Sequence, residues 1–263
     1  MKNNYRFIKE LLKLRMSHLM AFRLGFFGPL FVDVSLFFIQ LLVFQAIFSN
    51  VDRIGSWGQG EMIIFIGTFS LVDALSMTVC FFGLLTIPDK VRTGEMDLYL
   101  TKPVSPLLRI TFEKVNPGNL PQILFSIGVI TYGVSVGGFQ IGIIQVIGYI
   151  LFIAIMTLLF YDLEIMLRTT SFFIISTTGI LKLEEAGLDL CMKIPGIVFK
   201  RGFKIFFYAI LPYGVIATLP TQVLTNSLSF WGIVFGVGIA AVFTVLMLRF
   251  WKLGLRHYNS ASS

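Results

Sequence analysis

Charge is scarce in this chain. Only 13% of its 263 residues are Asp, Glu, Lys or Arg, 56% are hydrophobic, and mean hydropathy is +0.85. A soluble domain needs more charge than that on its surface. Two cysteines, Cys80 and Cys191, are too few and too far apart for a disulfide framework or a metal site. The two histidines, His18 and His257, have no second ligand at metal-binding spacing, and no metal site is expected. There is no Ser/His/Asp constellation, so an intramembrane hydrolase has no support. No Gly-Lys dipeptide occurs, which removes the lysine of a phosphate-cradling P-loop. The first 23 residues lack the central apolar core and small-residue site of a cleavable signal peptide. A net charge of +7 would suggest nucleic acid in a soluble protein. Here the cations flank apolar segments, where they set orientation and meet anionic lipid, and no basic-aromatic surface is left for a nucleic acid.

What the chain has is long uncharged runs. Val115 to Tyr161 holds no charge in 47 residues. As one helix it would be roughly 70 Å long, against a bilayer core of ~30 Å, so it must turn. Gly137-Gly138 is the natural place. Spans are expected over Leu24–Phe48, Glu61–Ile87, Leu120–Val136, Ile141–Tyr161 and Phe230–Leu248. Asp162, Glu164 and Arg168 mark a short polar turn, followed by a shorter, hydroxyl-rich apolar stretch, Thr169–Leu181, which in one reading belongs to the fifth span. Tyr5–Arg23 has Ile8, Leu11, Leu12, Leu19 and Phe22 near one face and Lys2, Arg6, Lys9 and Lys13 on the other, which predicts a helix lying in the membrane interface.

Cation placement orients these spans. The first 23 residues carry six Lys/Arg against one Glu, and the C-terminal end carries Arg249, Lys252 and Arg256. Both termini are therefore expected in the cytoplasm, which requires an even number of spans, and six fits. Residues 182–226 admit two readings. In one, 182–204 is outside and 205–226 is a re-entrant hairpin. In the other, 182–204 is cytoplasmic and 205–226 crosses. The five cations of Lys182–Lys204 favour the second. Pro212 and Pro220 favour the first, because irregular backbone at membrane depth needs protein or water around it.

The most informative stretch is Asp89–Lys114, five cations and four anions set between nearly uncharged segments. Gly94 permits a sharp turn. Glu95 and Asp97 suit the start of a short helix over Glu95–Leu100, with Leu98, Tyr99 and Leu100 as a small apolar face. Pro103 and Pro106 stop it and stiffen the chain beyond its end. Such a helix is suited to a partner's groove. Its pattern, R-T-G-E-M-D-L-Y-L-T-K-P-V-S-P after the second span, resembles the cytoplasmic loop of membrane subunits of type-2 ABC exporters, in the bacterial branch with a separate ATPase.

The resemblance implies an all-α permease over 1–263, with six transmembrane helices, an interfacial helix at 1–23, a cytoplasmic coupling loop at 88–118 and a re-entrant segment at 205–226 before the last span. Lys193, Lys200, Arg201 and Lys204 would then lie outside, against the charge rule. It implies ATPase coupling by Arg92, Gly94, Glu95, Met96, Asp97, Leu98, Tyr99, Pro103, Ser105 and Pro106. It further implies no catalysis by this chain, ATP and magnesium held by a partner ATPase, a second permease (identical or related) and a place in a bacterial cytoplasmic membrane with both termini inside. Ionisable residues at membrane depth are functional candidates. Asp73, among Ser70, Ser76 and Thr78, suits either a cation or a structural hydrogen bond, and Asp33 is expected to pair with Arg23 or His18. A stand-alone ion-coupled transporter or channel using Asp73 is the alternative. A membrane sensor that binds an ATPase without moving substrate is a third reading. Gly133/Gly137 and Gly232/Gly236 have the spacing of close helix packing.

Overall fold

The structure, a computed structural model, describes residues 23–174 and 177–258, and the side chains of all of these except 23–30, 32, 33 and 36. The interfacial helix expected at 1–23 thus falls almost wholly outside the described residues, as does the side chain of Asp33. The order is α1 (Arg23–Phe48), α2 (Gln59–Val79), α3 (Phe81–Leu84), α4 (Ile87–Thr93), α5 (Asp97–Leu100), α6 (Pro106–Glu113), α7 (Leu120–Gly137) and α8 (Ile143–Thr169). Beyond these lie α9 (Thr178–Lys193), α10 (Arg201–Ile205, continued by a π turn over Phe206–Ile210), α11 (Tyr213–Ile216), α12 (Thr218–Leu224) and α13 (Phe230–His257). No strand is present among the described residues.

Four helical stretches among these residues are long and apolar enough to cross a membrane: Gln59–Val79, Pro117–Gly137, Ile143–Phe172 and Phe230–His257. At 1.5 Å per residue even the shorter ones reach ~30 Å. Small residues bring α2 and α7 together. A Cβ on Gly60 would lie 2.5 Å from the Gly137 Cα, and one on Gly133 would lie 2.8 Å from the Ile64 nitrogen. Glycine alone permits that approach, and it aligns the two helices along their length. At the end of this seam Gly138 takes a left-handed φ of +63° and turns the chain into α8, as the Gly-Gly pair predicts. The α8 helix then forms the centre of the bundle. It bonds α2 through Thr68 Oγ1 and the Tyr149 hydroxyl at 2.8 Å, and α13 through Thr244 Oγ1, which donates to Asp162 Oδ2 at 2.5 Å.

Three expectations need correction. The second apolar run does not continue to Ile87. It ends at Val79, where the Thr78 carbonyl accepts from the Asn116 N–H and Cys80 leaves helical geometry. Asp162, Glu164 and Arg168 do not form a turn. They lie buried inside α8, because Thr244 and Glu184 partner them there. The hydroxyl-rich stretch is not one continuous helix among its described residues. Thr169 closes α8, Thr170–Phe172 is a single 3-10 turn, and the helix begins only at Thr178.

The chain from just before α9 to just beyond it runs from one end of the bundle to the other. Next to its start, Phe173 stacks on Phe250 and contacts His257 at the C-terminal end of α13. Beyond its end, Ile197 sits 3.3 Å from a Cβ placed on Gly55, in the loop that leads to α2. Part-way up, Gln40 Nε2 of α1 donates to the Met192 carbonyl at 2.8 Å. Next come two arms bent by 79°, Arg201–Ile210 and Tyr213–Leu224, with Pro212 at the corner. The second arm returns alongside α8, where Val223 meets Gly148.

Candidate coupling site

The segment from Ile87 to Glu113 folds as three short helices held by one tyrosine. Pro88 opens α4, and Gly94 ends it at φ +78°, a left-handed value that glycine takes without strain. The chain reverses there, with the Met96 N–H donating to the Lys90 carbonyl at 3.1 Å. Pro106 occupies the first turn of α6, where a missing N–H costs nothing. Between these helices the Tyr99 ring lies flanked by two cations, Lys90 Nζ at 4.8 Å and Arg109 Cζ at 4.1 Å from the ring centroid. Its hydroxyl donates to Glu113 Oε2 at 2.6 Å, and Lys90 Nζ reaches the same oxygen at 3.4 Å. Burial, then the Glu113 carboxylate, holds the Tyr99 phenol above its ordinary pKa.

The buried and exposed residues of this block divide cleanly. Met96 and Tyr99 are buried in a cluster with Leu84 of α3, Ile110 of the block, Ile165 of α8 and Trp251 of α13. The apolar face expected of Leu98, Tyr99 and Leu100 is therefore split: Tyr99 points inward, whereas Leu98 and Leu100 are 59% and 43% exposed. Arg92, Glu95, Pro103 and Ser105 are exposed as well. Asp97 is partly buried and lies beside Tyr258 at the end of α13. Burial and then Asp97 raise the Tyr258 phenol. The block is tied to the bundle at several further points. Thr111 Oγ1 and the Tyr161 hydroxyl are 2.7 Å apart, and Gly83 packs directly under the Ile110 carbonyl. The exposed tip is thus joined by packed contacts to α8 and α13.

The family model of the ABC-2 family transporter protein matches residues 34–262, nearly the whole chain and all of this block. The chain belongs to the ABC-2 transporter family. It is a membrane protein, the permease component of an ABC transporter. No curated protein and no solved structure matches it.

Two further sites of this ABC-2 permease lie inside the bundle. Asp73 is not in the coupling block. It lines a cavity of about 80 Å³ with Phe37, Gln40, Ser70, Gln122 and Met192. The other is an ion-pair cluster that sequence reasoning does not reveal. Arg168 Nη1 donates to both oxygens of Glu184, at 2.6 and 2.8 Å, and Arg168 Nη2 lies 2.9 Å from Glu164 Oε2. All three side chains are at most 4% exposed. Asp73 and the buried Tyr213 of α11 are within electrostatic reach of Glu164, and the Phe81 ring centroid is 6.0 Å from the guanidinium. The cluster thus joins α8 and α9 and touches the bent arms and the root of the coupling block. The i,i+4 spacing of Glu164 and Arg168 is a usable signal for half of it. Nothing in the sequence points to Glu184. Lys90, Arg109 and Glu113 likewise look like ordinary loop charges until the fold brings them around Tyr99.

Proposed function

We propose that this permease is half of an ATP-driven exporter in a bacterial cytoplasmic membrane. In this reading α1, α2, α7, α8, α9 and α13 are six crossings, both termini and the Ile87–Glu113 block are cytoplasmic, and the bent pair Arg201–Leu224 enters and leaves from the outer side. Supporting the last point, the chain before the pair lies against Gly55, and the chain after it opens α13, whose far end meets Thr169 and Phe172. A separate ATPase binds ATP and magnesium and docks on the block. A second permease, identical or related, completes the path. ATP-driven closure of the ATPase pair then moves the blocks as levers and rocks the spans between two states.

The observation that carries this reading is the buttressed block itself. Leu98 and Leu100 are exposed at its tip beside Glu95 and Arg92, while Met96 and Tyr99 lock its inner side to α8 and α13. Exposed leucines on a rigid, charged tip suit a hydrophobic groove in a partner. A stand-alone ion path through Asp73 has weaker support, since its cavity holds only a few waters. The test is co-purification in mild detergent from the native membrane, comparing wild type with a Glu95→Lys/Leu98→Glu variant. An ATPase subunit should accompany the wild type and be lost from the variant, which stays folded because both side chains are exposed. If no ATPase accompanies either protein, coupling is refuted, and Asp73→Asn should then be assayed for loss of ion-driven transport.

A further inference from the structure

The helix α9 presents two faces of opposite character. Glu184 and Cys191 are buried against the bundle. On the other side Lys182, Glu185, Asp189 and Lys193 are exposed. At 100° per residue these four fall within one narrow stripe, and between Lys182 and Lys193 it climbs ~17 Å. That is more than half the thickness of a bilayer core. Only Lys193 and Asp189 pair along it among the described residues, at 2.7 Å, and both remain more than half exposed.

The depth of the stripe is fixed by its neighbour. The Gln40–Met192 bond sets the upper end of α9 level with Gln40, short of the end of α1 at Phe48. At that level α1 exposes an apolar surface, Phe38, Ile39, Leu42 and Val43, each more than half accessible. Asp189 and Lys193 at that depth, with Glu185 and Lys182 on the turns below, cannot face acyl chains at tolerable cost. Nor can they pack dry against a second copy. An identical second permease related by a twofold along the membrane normal brings each residue at the axis opposite itself, so that Glu185 would meet Glu185 and Lys182 would meet Lys182. Like charges brought together out of water repel and lose hydration at once.

We propose that the Lys182–Lys193 stripe of α9 lines a water-filled half-path, completed by the second permease, and that the transported solute is hydrophilic rather than an acyl-chain lipid. The inference rests on the permease reading. The stripe balances two cations against two acids, so it offers partners to polar groups of either sign and excludes neither. Buried Glu184, clamped by Arg168 on the opposite side of α9, holds the stripe in its outward orientation.

Cysteine accessibility tests this. Both native cysteines are buried, so the wild type supplies the background. Glu185→Cys and Asp189→Cys are compared with Ile39→Cys and Leu42→Cys on the exposed apolar side of α1, in vesicles carrying the transporter with its partners. The probes are a charged, membrane-impermeant methanethiosulfonate and the lipid-soluble N-ethylmaleimide. A thiol in water ionises and reacts, whereas one in hydrocarbon stays protonated, so the two α9 positions should react with the charged reagent at least about tenfold faster than the two α1 positions. Equal slow rates, reaction with N-ethylmaleimide alone, or an oxidant-driven disulfide between copies in place of labelling would overturn the proposal. The permease reading has its own readout. Fast labelling with no associated ATPase would leave the hydrated stripe standing and remove the exporter. An associated ATPase with unreactive α9 positions would do the reverse.

Discussion

Tyr99 shows how much one side chain can organise. Its ring holds Lys90 and Arg109 apart while its hydroxyl occupies Glu113. Replacing it with phenylalanine keeps the packing and removes one hydrogen bond to a carboxylate, which should cost about 1–2 kcal/mol. The expected outcome for Tyr99→Phe is a modestly lower melting temperature in detergent, with ATPase association retained but transport reduced. Arg168 is the more severe case. Removing it leaves two buried carboxylates facing each other, and Arg168→Met should cost about 3–5 kcal/mol. The triple variant Arg168→Met/Glu164→Gln/Glu184→Gln removes the charges together and should be more stable than the single one. A thermal unfolding series checks this, and a triple variant no better than the single would mean that packing rather than charge dominates there. The two sites differ in legibility. Tyr99 is legible as part of a motif, but not its inward orientation, because Leu98 and Leu100 beside it are equally apolar. Glu184 is illegible because its partner lies 16 positions away on a different helix.

Helices differ in how much of their packing is written locally. The α2–α7 seam is: small residues recur where the two backbones meet. Gly133→Ala would place a methyl 2.8 Å from the Ile64 nitrogen, and the forced separation should cost about 1–3 kcal/mol. Gly128, on the same helix, has nothing within 4 Å of a new Cβ, so Gly128→Ala should be neutral or slightly stabilising through helix propensity. Melting the two variants side by side separates seam packing from a general effect of removing glycine. Of the other glycine pair, Gly236 packs inside this chain against Leu219 and Phe152, while Gly232 meets the loop residue Leu228. Helices carrying charge are the hardest to place. Hydropathy cuts α8 short at Tyr161, because a pattern of Asp, Glu and Arg reads as solvent-facing until its partners are known. The same blindness hides α9, whose one buried acid and four exposed charges make it resemble a loop or a surface helix. In both cases tertiary pairing outweighs local composition, and a window of sequence carries no record of it.

At the scale of the whole molecule, cation placement and the fold both bear on which way the bundle stands. The positive-inside rule argues from Lys and Arg near short loops. It agrees with a cytoplasmic coupling block, but it would also draw Lys193, Lys200, Arg201 and Lys204 inside. The fold resists that. Ile197 lies between these cations in sequence and packs against Gly55, in the loop that opens α2, at the end of the bundle remote from the coupling block. If the block is cytoplasmic, the four cations are not. Their neighbours show how that is tolerated: Lys193 is paired with Asp189, and Lys204 Nζ lies 5.6 Å from the centre of the Tyr208 ring. Impermeant labelling of intact cells decides the matter. Asn50→Cys and Gln140→Cys, both at exposed loop positions, should label from outside together with Arg201→Cys. Ser105→Cys should label only after the membrane is opened. Should Arg201→Cys follow Ser105→Cys instead, the bent pair would be a true crossing, α9 would not cross, and the loop cations would obey the charge rule after all.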